Sequence, residues 1–141
     1  MRRVFRVALW SITVLLAVGI GLIGAVYLLT RNMCGNEVVA EIRSPDGGHK
    51  AVEFERDCGA TTDFSTQVSV IRSDKRLGSD AAGNAFTADS NHGSVPVHGA
   101  GVMELDIQWL NNNTLQIEYP AGARVFNRNS KVGDVASGSS E

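Results

Sequence analysis

The chain has 141 residues, with 13 basic and 15 acidic side chains and a formal net charge of −2. Four of the basic residues and none of the acidic ones lie in the first 31 positions, so the rest carries nine basic against 15 acidic, a net of −6. A domain of that sign repels phosphate backbones, and no basic stripe offsets it, which disfavours nucleic acid as a partner.

Residues 1–6 form a short basic stub with Arg2, Arg3 and Arg6, and residues 7–30 then run without a charge until Arg31. Twenty-four residues at the helical rise make roughly 36 Å, enough to cross a hydrocarbon core of about 30 Å. The pattern predicts one transmembrane helix. Three arginines before it and one after it place the N-terminus in the cytoplasm and the remainder outside. Trp10 and Tyr27 sit where aromatic belts form at the headgroup level. Ala17, Gly21 and Ala25 share one helix face, a small-residue spacing that would allow a homodimer through the span. Two alternatives compete with an uncleaved anchor. A cleaved signal peptide would need a shorter apolar region and small residues at the cleavage point, where this chain has Tyr27, Leu28 and Leu29. A lipoprotein attached at Cys34 would need a small apolar approach, where Arg31, Asn32 and Met33 stand instead.

The chain from 34 to 135 reads as a small antiparallel β domain, sandwich-like, which makes the fold mainly β behind one helix. Cys34 and Cys58 are the two cysteines, both on the side expected to be oxidising, and they are assigned to a disulfide. They form no Cys-x-x-Cys motif, so a redox role is disfavoured. Val38, Ala40 and Ile42 alternate with Val39, Glu41 and Arg43, Ser44-Pro45-Asp46-Gly47-Gly48 supplies a turn, and Val52 and Phe54 continue beyond it. This predicts a hairpin over 37–56. A third strand is expected over 64–72 and a shorter one over 84–88. Leu105, Ile107 and Trp109 face Leu115, Ile117 and Tyr119 across an Asn111-Asn112-Asn113 turn, and these two rows are expected to be the densest part of the core. Residues 124–128 supply a last strand. Segments 73–83 and 90–101 hold five of the 15 glycines and read as exposed loops. Residues 136–141 are small and polar and read as a disordered tail.

Few residues carry evident chemistry. Asp89, His92 and His98 offer a carboxylate and two imidazoles to a metal, but their spacing matches no established ligand pattern, and a loop with solvated histidines is the expected state. Arg56 and Asp57, beside Cys58, suggest an ion pair that orders the loop; with Thr61, Thr62 and Asp63 they make the next candidate functional loop. A serine nucleophile there lacks a Gly-x-Ser-x-Gly elbow, and hydroxyls on a strand and its turn are ordinary capping groups. No catalytic residue, metal site or cofactor is therefore expected.

The strings RDCGATTDFSTQVSV at 56–70, SPDGGHKAV at 44–52 and WLNNNTLQIEYPAGARVF at 109–126 resemble a family of small bacterial membrane-anchored or exported proteins of unknown function, with Cys-Gly-Ala-Thr-Thr as the most specific element. The resemblance covers about residues 34–135 and brings no activity with it. It implies a bacterial inner-membrane anchor with the β domain in the periplasm, or outside a single-membrane cell. The expected function is a non-enzymatic envelope module that binds a protein or wall component through its loops or an exposed strand edge. The competing expectations are an immunity-type protein that neutralises a toxin, and a small hydrolase or metal-dependent enzyme built from the 57–66 and 89–98 loops.

Overall fold

The computed structural model describes every residue except 1, 31–33, 60–62 and 100, and the chain divides into two compact units, Met1–Met33 and Cys34–Glu141. The first is a single helix, α1 (Arg2–Thr30). Its segment Leu9–Leu29 is 21 residues long with a mean hydropathy of 2.5, long and apolar enough to cross a membrane. An anchor and a signal sequence share those properties, and either accounts for association with a membrane. Trp10 and Tyr27 project outward near its two ends.

The second unit is all β. In the first hairpin β1 (Gly35–Arg43) pairs antiparallel with β2 (His49–Asp57), from Gly35↔Asp57 to Arg43↔Lys50, with a bulge between Val38 and Ala40. The turn between them closes for a local reason. The Ser44 hydroxyl donates to Asp46 Oδ1 at 2.7 Å, the Gly48 amide donates to the same oxygen at 3.0 Å, and Gly47 takes φ +71°, which only glycine adopts without strain. β2 continues into β3 (Ser65–Arg72), then β4 (Phe86–Asp89), then β9 (Arg124–Arg128), giving a five-stranded antiparallel sheet in the order β1-β2-β3-β4-β9. The second sheet has the order β10-β11-β8-β7, from β7 (Asp106–Asn111), β8 (Thr114–Glu118), β10 (Lys131–Val132) and β11 (Val135–Ser140). The two-residue strand β5 (Val97–His98) lies inside the 90–101 segment expected to be only loop, and it pairs with β6 (Val102–Met103) just beyond that segment.

One core joins the sheets. Ala51, Val68, Val70, Phe86 and Ala88 from the first meet Leu115, Ile117 and Val135 from the second, and the rings of Phe86 and Tyr119 lie 5.1 Å apart. The Trp109 indole donates to the Ile42 carbonyl at 2.9 Å, tying the second sheet to the first hairpin. The two rows expected to be densest differ from each other. Leu115, Ile117 and Tyr119 are buried, but Leu105, Ile107 and Trp109 are only partly so, because β7 lies at the edge of its sheet with no strand to cover that side.

The expectation of a disordered tail is corrected. Residues 136–141 fall largely within β11, which lies between β10 and β8 and pairs with β8 in parallel, from Ala136↔Thr114 to Ser140↔Glu118. Backbone pairing on both edges, together with burial of Val135 at its start and of Ser137, orders it, so the polar composition of 136–141 is misleading. Gly138 lies close to β8, where a Cβ would stand 2.6 Å from Gln116 Oε1, the movable end of that side chain.

On β2, Glu53 and Glu55 share the core-facing side with Ala51 and are only 8% and 7% exposed. Burial raises the pKa of both, and for Glu55 the negative charges of Glu37 and Asp57 add to it. A carboxyl with a raised folded pKa binds protons more readily in the native state than in the unfolded chain. Its contribution is fully present below the unfolded value of 4.5 and is lost as pH rises through the folded value. Asp46 and Asp74 run the other way: the Ser44 hydroxyl holds the first down and the Arg72 guanidinium the second, so their contributions are present above 3.8 and lost below their folded values. The domain is therefore expected to gain stability as pH falls from neutrality towards 4.5. Glu53→Gln should raise Tm at pH 7, with the gain fading towards 4.5; a gain that does not change with pH would show that desolvation of the carboxylate is not its source.

Candidate functional site

The outer face of the five-stranded sheet, away from the shared core, carries a row of polar side chains. Strand pairing sets it. Arg56 lies opposite Ser65, Gln67 opposite Thr87, and Thr87 opposite Asn127, so amide, hydroxyl and guanidinium groups from four strands line up across one surface. Arg56, Ser65, Gln67 and Asn127 are held in place by their neighbours. Gln67 donates through Nε2 to Ser65 Oγ at 2.8 Å and accepts the Gly83 amide at 2.6 Å, while Asn127 donates to the Gly83 carbonyl at 3.4 Å. Arg56 Nη1 donates to Asn36 Oδ1 and to the carbonyls of Asp80 and Ala81, all between 2.8 and 2.9 Å. The 73–83 loop is thereby fastened onto the sheet, and a Cβ at Gly83 would lie 2.6 Å from the Phe86 carbonyl.

This row floors an open cleft of about 630 Å³, within the range of small-ligand sites. Cys58, Asp63, Asp89, His92, Arg124 and Phe126 complete its lining, with Asp63 beside His92. Asp89 and Arg124 face each other directly in the β4–β9 ladder. Asp89, only 4% exposed, accepts Arg124 Nε at 3.2 Å on each oxygen, a closer bond from Nη2, and the Asn91 amide at 2.9 Å. These bonds lift the Arg124 pKa above its ordinary value, the Asp89 hydrogen bond being the largest cause. Arg124 also meets His92 Nε2 at 3.2 Å, and its guanidinium lies 5.2 Å from the centre of the Phe126 ring. His92 Nδ1 in turn lies 3.4 Å from Asp63 Oδ2. With Arg124 as donor, His92 accepts at Nε2 and presents Nδ1–H to Asp63, so both ring nitrogens are engaged.

The backbone holding His92 is unusual. Asn91 and His92 have φ +50° and +57°, followed by Gly93 at +81°. Two consecutive non-glycine residues in the left-handed region store strain of about 1–3 kcal/mol each, of a kind that clusters at functional sites. Surrounding bonds hold it in place: Asn91 Nδ2 donates to the Gly122 carbonyl at 3.3 Å, and the Ser94 hydroxyl to the Asn91 carbonyl at 2.7 Å.

The structure treats the sequence candidates unequally. Asp63, Asp89, His92 and Arg56 come together at this cleft, and Cys58 joins them as half of the Cys34–Cys58 disulfide. His98 does not: it is exposed and lies 3.8 Å from Glu104. The metal set Asp89, His92 and His98 is therefore not assembled, and among the described residues no three His, Cys, Asp or Glu side chains gather into a metal site. Arg56 and Asp57 do not form the expected ion pair. Their side chains leave opposite faces of β2, so Arg56 reaches the 73–83 loop while Asp57 Oδ1 accepts the Gly59 amide at 2.7 Å. Thr61 and Thr62 lie outside the described residues. Sequence reasoning missed Arg124, Phe126, Gln67 and Thr87; the available signal was an arginine and an exposed aromatic two residues apart in a late strand. No protein-family model matches the sequence, and comparison with curated proteins and with solved structures likewise gives no match.

Proposed function

We propose that the protein is a single-pass, membrane-anchored module of the bacterial envelope, with its N-terminus in the cytoplasm and its β domain in the periplasm or outside the cell, and that it binds an envelope partner in the cleft without catalysing a reaction. The observation that carries this reading is the commitment of the polar groups. The guanidinium of Arg124 is bonded to Asp89, that of Arg56 to loop carbonyls, and His92 meets Arg124 through Nε2 while its Nδ1 lies 3.4 Å from Asp63. A general base needs a free lone pair within reach of a substrate proton; His92 has none to offer. A rigid, pre-bonded surface suits recognition, because little ordering remains to be done on binding.

The enzyme reading draws some support from the meeting of the 57–66 and 89–98 loops, but both cysteines are in the disulfide, and the Ser65 hydroxyl is bonded to Gln67 and to the Arg56 carbonyl rather than to a histidine or carboxylate that could activate it. The alternative of binding along a strand edge is weaker. Edge strand β1 is bulged at Val38 and carries Glu37, Glu41 and Arg43, devices that discourage strand addition. Photo-crosslinking in intact cells tests the cleft. A crosslinking side chain in place of Phe126 is expected to give discrete adducts, and one in place of Leu110, an exposed apolar residue on β7, is expected to give none. Equal yields from the two positions would remove the cleft as the binding site.

A further inference from the structure

Resting on the reading of the cleft as a binding site, we infer that its ligand is a neutral carbohydrate. Charge makes the first cut. Two arginines and two aspartates line the cleft, so its formal charges cancel. Arg124 is locked against Asp89, Asp63 lies 4.0 Å from the same guanidinium, and Arg56 is spent on the backbone of another loop. A phosphate or carboxylate would find no uncommitted cation, and an ammonium group would have to compete with Arg124 for its own carboxylate.

Polarity makes the second. The floor presents the hydroxyls of Ser65 and Thr87 on adjacent strands, with Gln67 between them in register with Thr87, a polar surface whose spare donor and acceptor capacity a hydroxyl-rich ligand can use and an apolar ligand would cover without replacing. Shape makes the third. Phe126 is 59% exposed at the rim, with Arg124 stacked on it as backing. An exposed aromatic ring beside a field of planar and hydroxyl groups matches a sugar, whose hydroxyls lie around the ring edge and whose C–H groups form a flat apolar face. An extended peptide is a poorer fit: β9 is the last strand of its sheet, but the cleft is lined by side chains on the sheet's outer face rather than by the backbone of that edge. The strained His92 backbone then has a role: it turns the imidazole into the wall, where glycine would give the loop the same path without a side chain.

The test uses the full-length protein in detergent micelles and four soluble probes. These are chitotetraose, its fully de-N-acetylated cationic counterpart, the anionic tetragalacturonate, and an uncharged Gly-Ala tetrapeptide. Chitotetraose is expected to bind with a dissociation constant of about 1 mM or tighter, with the charged glycans and the peptide at least roughly tenfold weaker, each like-charge or unpaired contact costing about that much. Phe126→Ala should weaken chitotetraose roughly three- to tenfold and leave Tm unchanged, since the ring is exposed. His92→Gly should hold or raise Tm while weakening chitotetraose, a separation that a purely structural histidine would not give. Tighter binding of tetragalacturonate, the cationic glycan or the peptide than of chitotetraose overturns the inference, and so does chitotetraose binding that Phe126→Ala leaves unaltered. If no glycan binds while Phe126-specific crosslinks persist in cells, the ligand class is wrong and the cleft stands; if both are absent, both fall.

Discussion

Asp89→Ala is expected to lower the unfolding free energy by about 2–4 kcal/mol, measured by urea denaturation of the full-length protein. The carboxylate is almost fully withdrawn from water, and it ends four hydrogen bonds: three from Arg124 and one from the Asn91 amide. Charge-assisted bonds of this kind are net stabilising by about 1.5–3 kcal/mol each when taken singly, and less when they share one guanidinium. The loss has an upper bound because Arg124 is partly exposed and can return to solvent. Arg124→Leu should be at least as damaging for the opposite reason, since it leaves the Asp89 carboxylate buried with only the Asn91 amide. Asp89→Asn separates the two parts of the effect. It keeps an acceptor for Asn91 and removes the charge, so its loss should fall between those of wild type and Asp89→Ala. If all three variants retained wild-type stability, the ladder pair would not be what holds the wall of the cleft.

The same pair shows how far a sequence can be read. Hairpin positions followed from alternation and turn chemistry: Ser44 to Gly48 and Asn111 to Asn113 are local signals, and both turns form there. The apolar N-terminal helix was legible for the same reason, as apolar length is additive along the chain. What failed were properties set by partners distant in sequence. Asp89 and Arg124 are 35 residues apart and meet only because β9 docks beside β4, a pairing no local pattern encodes. The tail failed similarly, as Ala136 to Ser140 owe their order to a parallel ladder with β8 some twenty residues away. The sequence groups Asp89, His92 and His98 as a candidate metal set; the first two do share a site, but as partners of the Arg124 guanidinium, which sequence spacing could not reveal.

Cys34 and Cys58 close the other side of the structure, and their removal should be comparably costly. Gly35 pairs with Asp57, so the disulfide occupies the next rung of the β1–β2 ladder, where an edge strand would otherwise fray. A sequence separation of 24 corresponds to about 3 kcal/mol of loop-closure entropy removed from the unfolded chain. That is a large share of the roughly 5–15 kcal/mol typical of a domain. The double variant Cys34→Ser/Cys58→Ser is accordingly expected to lose about 3 kcal/mol, and dithiothreitol should lower the wild type to the same level while leaving the variant unmoved. Hydrogen exchange should locate the change. Amides near Gly35 and Asp57 are expected to lose protection first, with those around Ile42 and Ala51 at the turn end of the hairpin retaining theirs, because the Trp109 indole anchors that end to the second sheet. Because Cys58 also walls the cleft, the variant links stability to binding: a frayed rung would free Asp63 from the wall it shares with His92, and crosslinking through Phe126 should fall along with the protection of Asp57. Loss of protection spread evenly over the hairpin would instead mean that the bond acts on the whole unfolded chain and has no separate hold on this end of the domain.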